Sequence, residues 1–178
     1  MLGPRPPEPA RCSDEHTLAP GFQILVRKVI AAANVKLAER GYHFQFQSFE
    51  CARSGARQHW LFGSGRTYAG PWLTNSDSCF TSWHGFGLAD DVVPRAVHTD
   101  GSFGDFTWDV PAGVWAVLYE AATENGCTTG LHWHSQDDDH VQPANVKVSP
   151  SDNARELFAN GGLPAVWAAC GYSDTGAP

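Results

Sequence analysis

The sequence predicts an α+β domain with a small, largely antiparallel sheet packed with helices. Three observations predict it. Residues 22–37 repeat apolar side chains at three- and four-residue steps, residues 43–49 alternate them in twos, and helical and strand-like segments then succeed one another to the end of the chain. The size agrees: 178 residues, 42% of them hydrophobic and 17% charged, with seven Trp and ten Phe, supply one core and not two. No internal repeat or long linker divides the chain.

Residues 1–15, rich in Pro and Arg, read as a tail, and residues 16–178 as a single domain with a helical C-terminal segment. Phe22, Leu25, Val26, Val29, Ile30, Ala33 and Leu37 mark one face of a helix of about five turns, stopped by Gly41. The alternation around Phe44 and Phe46 predicts a half-buried strand over 43–49. A short helix over 54–62 and a long loop rich in Gly and Pro over 63–78 follow. Residues 87–93 predict a strand ending at Pro94, and 95–107 a hairpin. Pro111 at the first position, Val114, Trp115, Leu118 and Ala122 on one face, and Asn125-Gly126 behind them define a second helix to Glu124. Residues 129–133 and 139–142 read as short strands around a polar bend. Ser149 caps a helix running to Asn160, and a further turn or two follows Pro164.

Composition excludes several functions. A formal charge of −7 without a Lys/Arg cluster argues against binding a phosphate backbone. No apolar run reaches the eighteen or so residues of a spanning helix, so no membrane insertion is expected, and the N-terminus lacks the pattern of a secretory signal. Five scattered cysteines with no CxxC pair make a thiolate metal site improbable and suggest unpaired, buried thiols over a disulfide framework.

The chemistry concentrates in "TSWHGFGLADD". If 82–86 is a turn feeding a strand, His84 lies in the turn and Asp91 on the strand; Gly85 and Gly87 let the chain reverse tightly and Ala89 keeps the face beside Asp91 clear. A mononuclear catalytic zinc site wants three nitrogen or oxygen ligands and one open position. His84 and Asp91 supply two, and His140, which opens a short strand after a run of carboxylates, is the best third. Asp137, three residues upstream, suits a general base, with Asp138 and Asp139 as alternatives if the short bend is distorted. Taken singly each residue has a bland reading: a histidine capping a turn, an aspartate paired at a strand end, a solvated acidic turn. Arg66 reads as the residue that ties down the long loop. His132 and His134, on either side of Trp133, read as partly exposed structural histidines before ligands.

These residues resemble a known family. Ser82, His84, Gly87, Ala89 and Asp91 fit SxHxxGxAxD, Asp137 and His140 fit DxxH, and Arg53, Ser54, Gln58, Gly65, Arg66 and Thr67 fit RSxxxQxxLxxxGRT. With the "GLHW" stretch, the chain is similar over roughly residues 16–143 to the zinc D-alanyl-D-alanine carboxypeptidases, and within them to L-alanyl-D-glutamate endopeptidases of phage endolysins. It departs from them in carrying His134 and Ser135 after Trp133, and Val141 after the last ligand.

The resemblance implies a Hedgehog/D,D-peptidase-like fold and one Zn2+ ion held by His84, Asp91 and His140. Asp137 would be the general base and Arg53 the partner of the developing oxyanion. Substrate contacts would come from Ser82, Gln58, Trp133 and His134, and the substrate would be the stem peptide of bacterial peptidoglycan. It further implies a monomer made in the bacterial host cytoplasm without a signal peptide and acting on the wall after release. A D,D- or L,D-carboxypeptidase, or a non-catalytic Hedgehog-like zinc-binding module, are the alternatives.

Overall fold

A computed structural model describes residues 2–174. Its elements are α1 (Pro20–Glu39), β1 (Phe44–Glu50), α2 (Gly55–Gly63), β2 (Asp90–Val97), β3 (Phe103–Phe106), α3 (Ala112–Glu124), β4 (Cys127–Gly130), β5 (Asp137–Pro143) and α4 (Asp152–Cys170). The fold class is therefore α+β, with four α-helices and a five-stranded antiparallel sheet of order β1-β2-β5-β4, β3 pairing with β2.

The apolar face of α1 (Phe22, Val26, Val29, Ala33, Leu37) and that of α3 (Val114, Trp115, Val117, Leu118, Ala121, Ala122) are buried in one core with Phe46, Val92 and Val141 of the sheet. Burial of this continuous apolar surface is what makes both helices stable, at roughly 25 cal/mol per Å2 removed from water. The outer edge of β1 is closed by α1: the Asn34 amide donates to the Phe46 carbonyl at 3.1 Å and accepts from its N–H at 2.7 Å, which covers an edge that would otherwise invite pairing.

β2 runs through Pro94 instead of stopping there. β1 pairs along one edge of β2, while the other edge is shared, β5 meeting Asp90 and Asp91 and β3 meeting Arg95 and Val97. Pro94 sits at the handover, where its carbonyl accepts from Thr107 N at 3.0 Å and its missing N–H falls in the gap between the two partner strands.

Three further expectations are corrected. Residues 131–136 form a turn, so β4 ends at Gly130 and β5 begins earlier, at Asp137. Ser151, not Ser149, caps α4, accepting from Ala154 N, and Gly162 (φ 65°, ψ −163°) kinks that helix before Pro164. The first residues are no loose tail either: Gly3 N donates to Thr67 O at 2.9 Å, Trp60 Nε1 to Pro6 O at 3.0 Å and Cys51 N to Cys12 O at 2.7 Å. Among the described residues all five cysteines are free, with Cys51 and Cys127 buried, and no helix is long and apolar enough to cross a membrane.

Candidate metal centre

His84 is placed by a short 3-10 turn, Trp83–Phe86, in which its own N–H is met by the hydroxyl of the preceding Ser82. The turn lies so close to its neighbour that a Cβ on Gly85 would come within 2.0 Å of the Cys79 carbonyl oxygen, and Gly87 leaves it with φ 64°. Any other residue at either position would push the imidazole away. Ser82 lines the cleft described below but is spent on the turn, accepting from His84 N at 3.4 Å.

Asp91 and His140 are direct cross-strand partners on β2 and β5, and on its other side Asp91 faces Glu50 of β1. Two irregularities flank this row. β1 bulges between Ser48 and Glu50, and between Thr129 and Gly130 the partner on β5 jumps from Val141 to Asp137. Residues 138–140 thus swing out of the β4 ladder, which suspends the strict in-out alternation. The carboxylates that precede His140 are thereby able to face the same space as its ring.

The hydrogen bonds fix both imidazole tautomers. His84 Nδ1 is 2.7 Å from the Cys51 carbonyl oxygen, which can only accept, so Nδ1 carries the proton. Gln142 donates its amide to Lys147 O at 3.0 Å, so its oxygen is the atom 3.1 Å from His140 Nε2, and that nitrogen must be the donor. What remains on the inner side is three lone-pair donors: His84 Nε2, His140 Nδ1 and Asp91 Oδ1, separated by 3.2, 3.0 and 3.6 Å. Three acceptors converging this closely in a buried place repel one another unless a cation or a proton lies between them. These atoms lie within 4.8 Å of one another and can hold a metal ion.

Burial opposes the charge on Asp91, but an additional proton on His84 or His140, held between the ring and Asp91, and the charge of Arg53 outweigh it and hold its carboxyl well below the usual range. Burial and the adjacent Arg53 lower His84. Burial also acts against protonating His140, yet its bond to Asp91 and the charges of Asp137 and Asp91 raise it. A fully buried neighbour, Asp90, is lifted to about 7 by desolvation, with only one of its oxygens bonded, to Ser48 at 2.6 Å.

Arg53 meets Asp91 from the far side. Its guanidinium donates to Asp91 Oδ2 at 2.7 Å, to Glu50 at 3.0 Å and to Gln58 Oε1 at 3.1 Å, and only 8% of its side chain is exposed. One Asp91 oxygen is thus occupied and the other is left for a metal. Gln58 is fully buried and uses its amide to hold Ser76 O at 2.7 Å, so it lies beneath the cleft and reaches it only through Arg53 and the loop. Arg66 pins the same loop, bonding Phe62 O at 2.6 Å and Thr74 O at 2.9 Å while stacking on Trp72.

The three ligands open into a cleft of about 910 Å3 whose lips carry Trp72, Leu73, Trp108, Trp133, His134 and Asp137–Asp139. Trp133 packs its ring 5.1 Å from that of His140, His134 is exposed on the lip, and His132 turns away to meet Tyr119 edge to face at 4.6 Å. Asp138 is engaged by Gln136 at 2.7 Å. Asp137 is exposed, while Asp139 accepts from Trp108 Nε1 at 2.7 Å. Burial and the charges of Asp91 and Asp137 push Asp139 well above the usual carboxylate range. Asp137 and Asp139 thus line the same cleft as the three residues, and Asp137 acts electrostatically on His140 and Asp139 on Asp91.

Sequence reasoning missed Glu50, Gln142 and the Cys51 carbonyl. Gln142 was within reach, since a residue two places after a ligand on a strand shares its face. Glu50 and Cys51 act through a bulge and a backbone atom and leave no signature in residue type. No protein-family model matches the chain, and no curated protein matches it.

Proposed function

We propose that the chain is a zinc-dependent peptidase that hydrolyses a peptide bond in the stem of bacterial peptidoglycan, with L-alanyl-D-glutamate endopeptidase as the favoured activity and a phage endolysin as the setting. The observation that carries this reading is the convergence of His84 Nε2, His140 Nδ1 and Asp91 Oδ1, tautomers fixed, on one point at the base of an open cleft. Two imidazole nitrogens and one carboxylate oxygen form a donor set typical of catalytic zinc and leave a fourth position free. When bound, zinc would lower the pKa of a water molecule to about 7 and polarise the scissile carbonyl.

The chain's own residues do the rest. A carboxylate on the lip, Asp137 in the sequence pattern or Asp139 in the distorted bend, takes a proton from the attacking water and returns it to the leaving amine. Arg53 holds Asp91 to one free oxygen, a duty that precedes any contact with the carbonyl. Trp133 and the indoles of Trp72 and Trp108 wall the cleft against bulk water.

Purified bacterial sacculi digested with the protein and zinc, followed by mass analysis of the released muropeptides, test the reading. Cleavage between L-alanine and D-glutamate is the expected result. Release of terminal D-alanine alone would instead assign a carboxypeptidase. Stoichiometric zinc with no product from any peptidoglycan would leave a binding module.

A further inference from the structure

We infer that residues 3–12 belong to the site, and that Glu8 is a positioning residue for the metal ligand Asp91. The inference rests on the metal reading of His84, Asp91 and His140. The segment carries Pro4, Pro6, Pro7 and Pro9, whose fixed φ keeps it extended at little entropic cost. It is pinned at Gly3, Pro6 and Cys12 by the bonds given above, and Arg5 lies 4.5 Å over the Trp60 ring. Between these pins Arg5 and Glu8 line the cleft.

From Glu8 a chain of alternating charges runs inward to the ligand. Glu8 Oε1 meets Arg57 at 2.6 Å, Arg57 Nε meets Glu50 Oε1 at 2.7 Å, Glu50 Oε2 meets Arg53 Nε at 3.0 Å, and Arg53 meets Asp91 Oδ2 at 2.7 Å. The side chains of Arg57, Glu50, Arg53 and Asp91 are 5, 3, 8 and 13% exposed, whereas that of Glu8 is 52% exposed. Buried charges of this kind have little water to satisfy them and depend on one another.

Glu50 can serve both arginines only because it gives one oxygen to each. If Glu8 is removed, Arg57 keeps a single buried partner and draws Glu50 toward itself, which loosens Arg53 and with it the orientation of Asp91. The N-terminal strap in this way sets how many Asp91 oxygens face the metal. An exposed ion pair that merely tethered the strap would do none of this.

Zn2+ affinity, measured on the full chain by competition with a chromophoric chelator, tests the chain of contacts. Glu8→Gln is expected to weaken binding by about three- to tenfold, and Arg57→Met by about ten- to a hundredfold, the range for residues that orient a ligand. The double variant should bind no more weakly than Arg57→Met alone, because Glu8 acts through Arg57. If Arg57→Met does not fold, Arg57→Lys, which keeps the charge but loses the fork that bridges two carboxylates, takes its place. Unchanged affinity in Glu8→Gln, or effects that simply add, overturns the inference while leaving the metal site standing. Wild-type protein that binds no Zn2+ overturns the metal reading and this inference with it.

Discussion

The floor of the cleft and its acidic lip share strand β5 yet obey opposite rules. On the floor every ligand is held from behind: His84 by the Cys51 carbonyl, His140 by Gln142, Asp91 by Arg53. On the lip, Asp137–Asp139 ride a bulge, and each aspartate has a different surrounding. The floor tolerates no alternative arrangement, because moving one buried polar group strands its partner. On the lip only Asp137 is exposed to water, whereas Asp139 is shielded and held by Trp108. A rigid donor set beside carboxylates of unequal freedom is the arrangement that the proposed hydrolysis would use.

The comparison breaks most sharply at the floor. Asp91→Asn removes the charge shared by two imidazoles and Arg53, and His84→Ala removes a ligand with its backbone anchor. Zinc content after dialysis should fall below detection in both, with turnover on sacculi reduced by more than about a thousandfold. A variant that retained one equivalent of zinc would show that the three donors do not share an ion.

The lip should lose chemistry but keep metal. Asp137→Asn and Asp139→Asn are each expected to bind zinc as the wild type does, and the one that is the base should lose about 10²- to 10⁴-fold in kcat. Measuring both decides which carboxylate the bulge presents, since the other variant should change rate by only a few-fold. Equal and modest losses in the two would mean that neither takes the proton.

This division also explains how much could be read in the sequence. The helices α1 and α3 were legible because their apolar periods recur over ten or more residues, β1 because Phe44 and Phe46 alternate with polar neighbours, and the candidate ligands His84, Asp91 and His140 because they fall on a turn and two strands. The lip was legible only as a run of three acids, for register depends on a bulge set by Gly130 against Asp137, a contact far from local propensity. Pro94 misled for a related reason: a proline ends a strand only where its missing N–H is needed, and here it faces the gap between β5 and β3. The strap went unread because its anchors, at Thr67, Trp60 and Cys51, lie forty or so residues away or more, and a Pro-rich start carries no period.

A subtler change at the floor sharpens the contrast further. Gln142→Leu keeps the shape of the strand but takes away the acceptor that fixes the His140 tautomer, so zinc affinity should fall by about ten- to a hundredfold while the site still fills at high zinc. Gln142→Glu, which restores an acceptor, should recover most of that loss. If Leu and Glu bind zinc equally well, the tautomer is set by something other than Gln142.

The smallest expected effect tests whether the floor is as closed as its bonds imply. The Cys51 thiol is fully buried beneath His84, and desolvation, joined by the charge of Asp90, pushes its pKa up. The thiolate is the reacting species, so a raised thiol is nearly all protonated at pH 8 and gains reactivity only as the pH climbs toward its shifted range. Cys12 and Cys79 are partly exposed. Native protein treated with an alkylating reagent at pH 8 should therefore label at Cys12 and Cys79 well before Cys51, with the order read by mass analysis of the digested product. Early labelling of Cys51 would mean that the segment carrying the His84 anchor opens on the timescale of the reaction. The floor would then share the lip's freedom, and the rigidity ascribed to the three ligands would have to come from the ion itself.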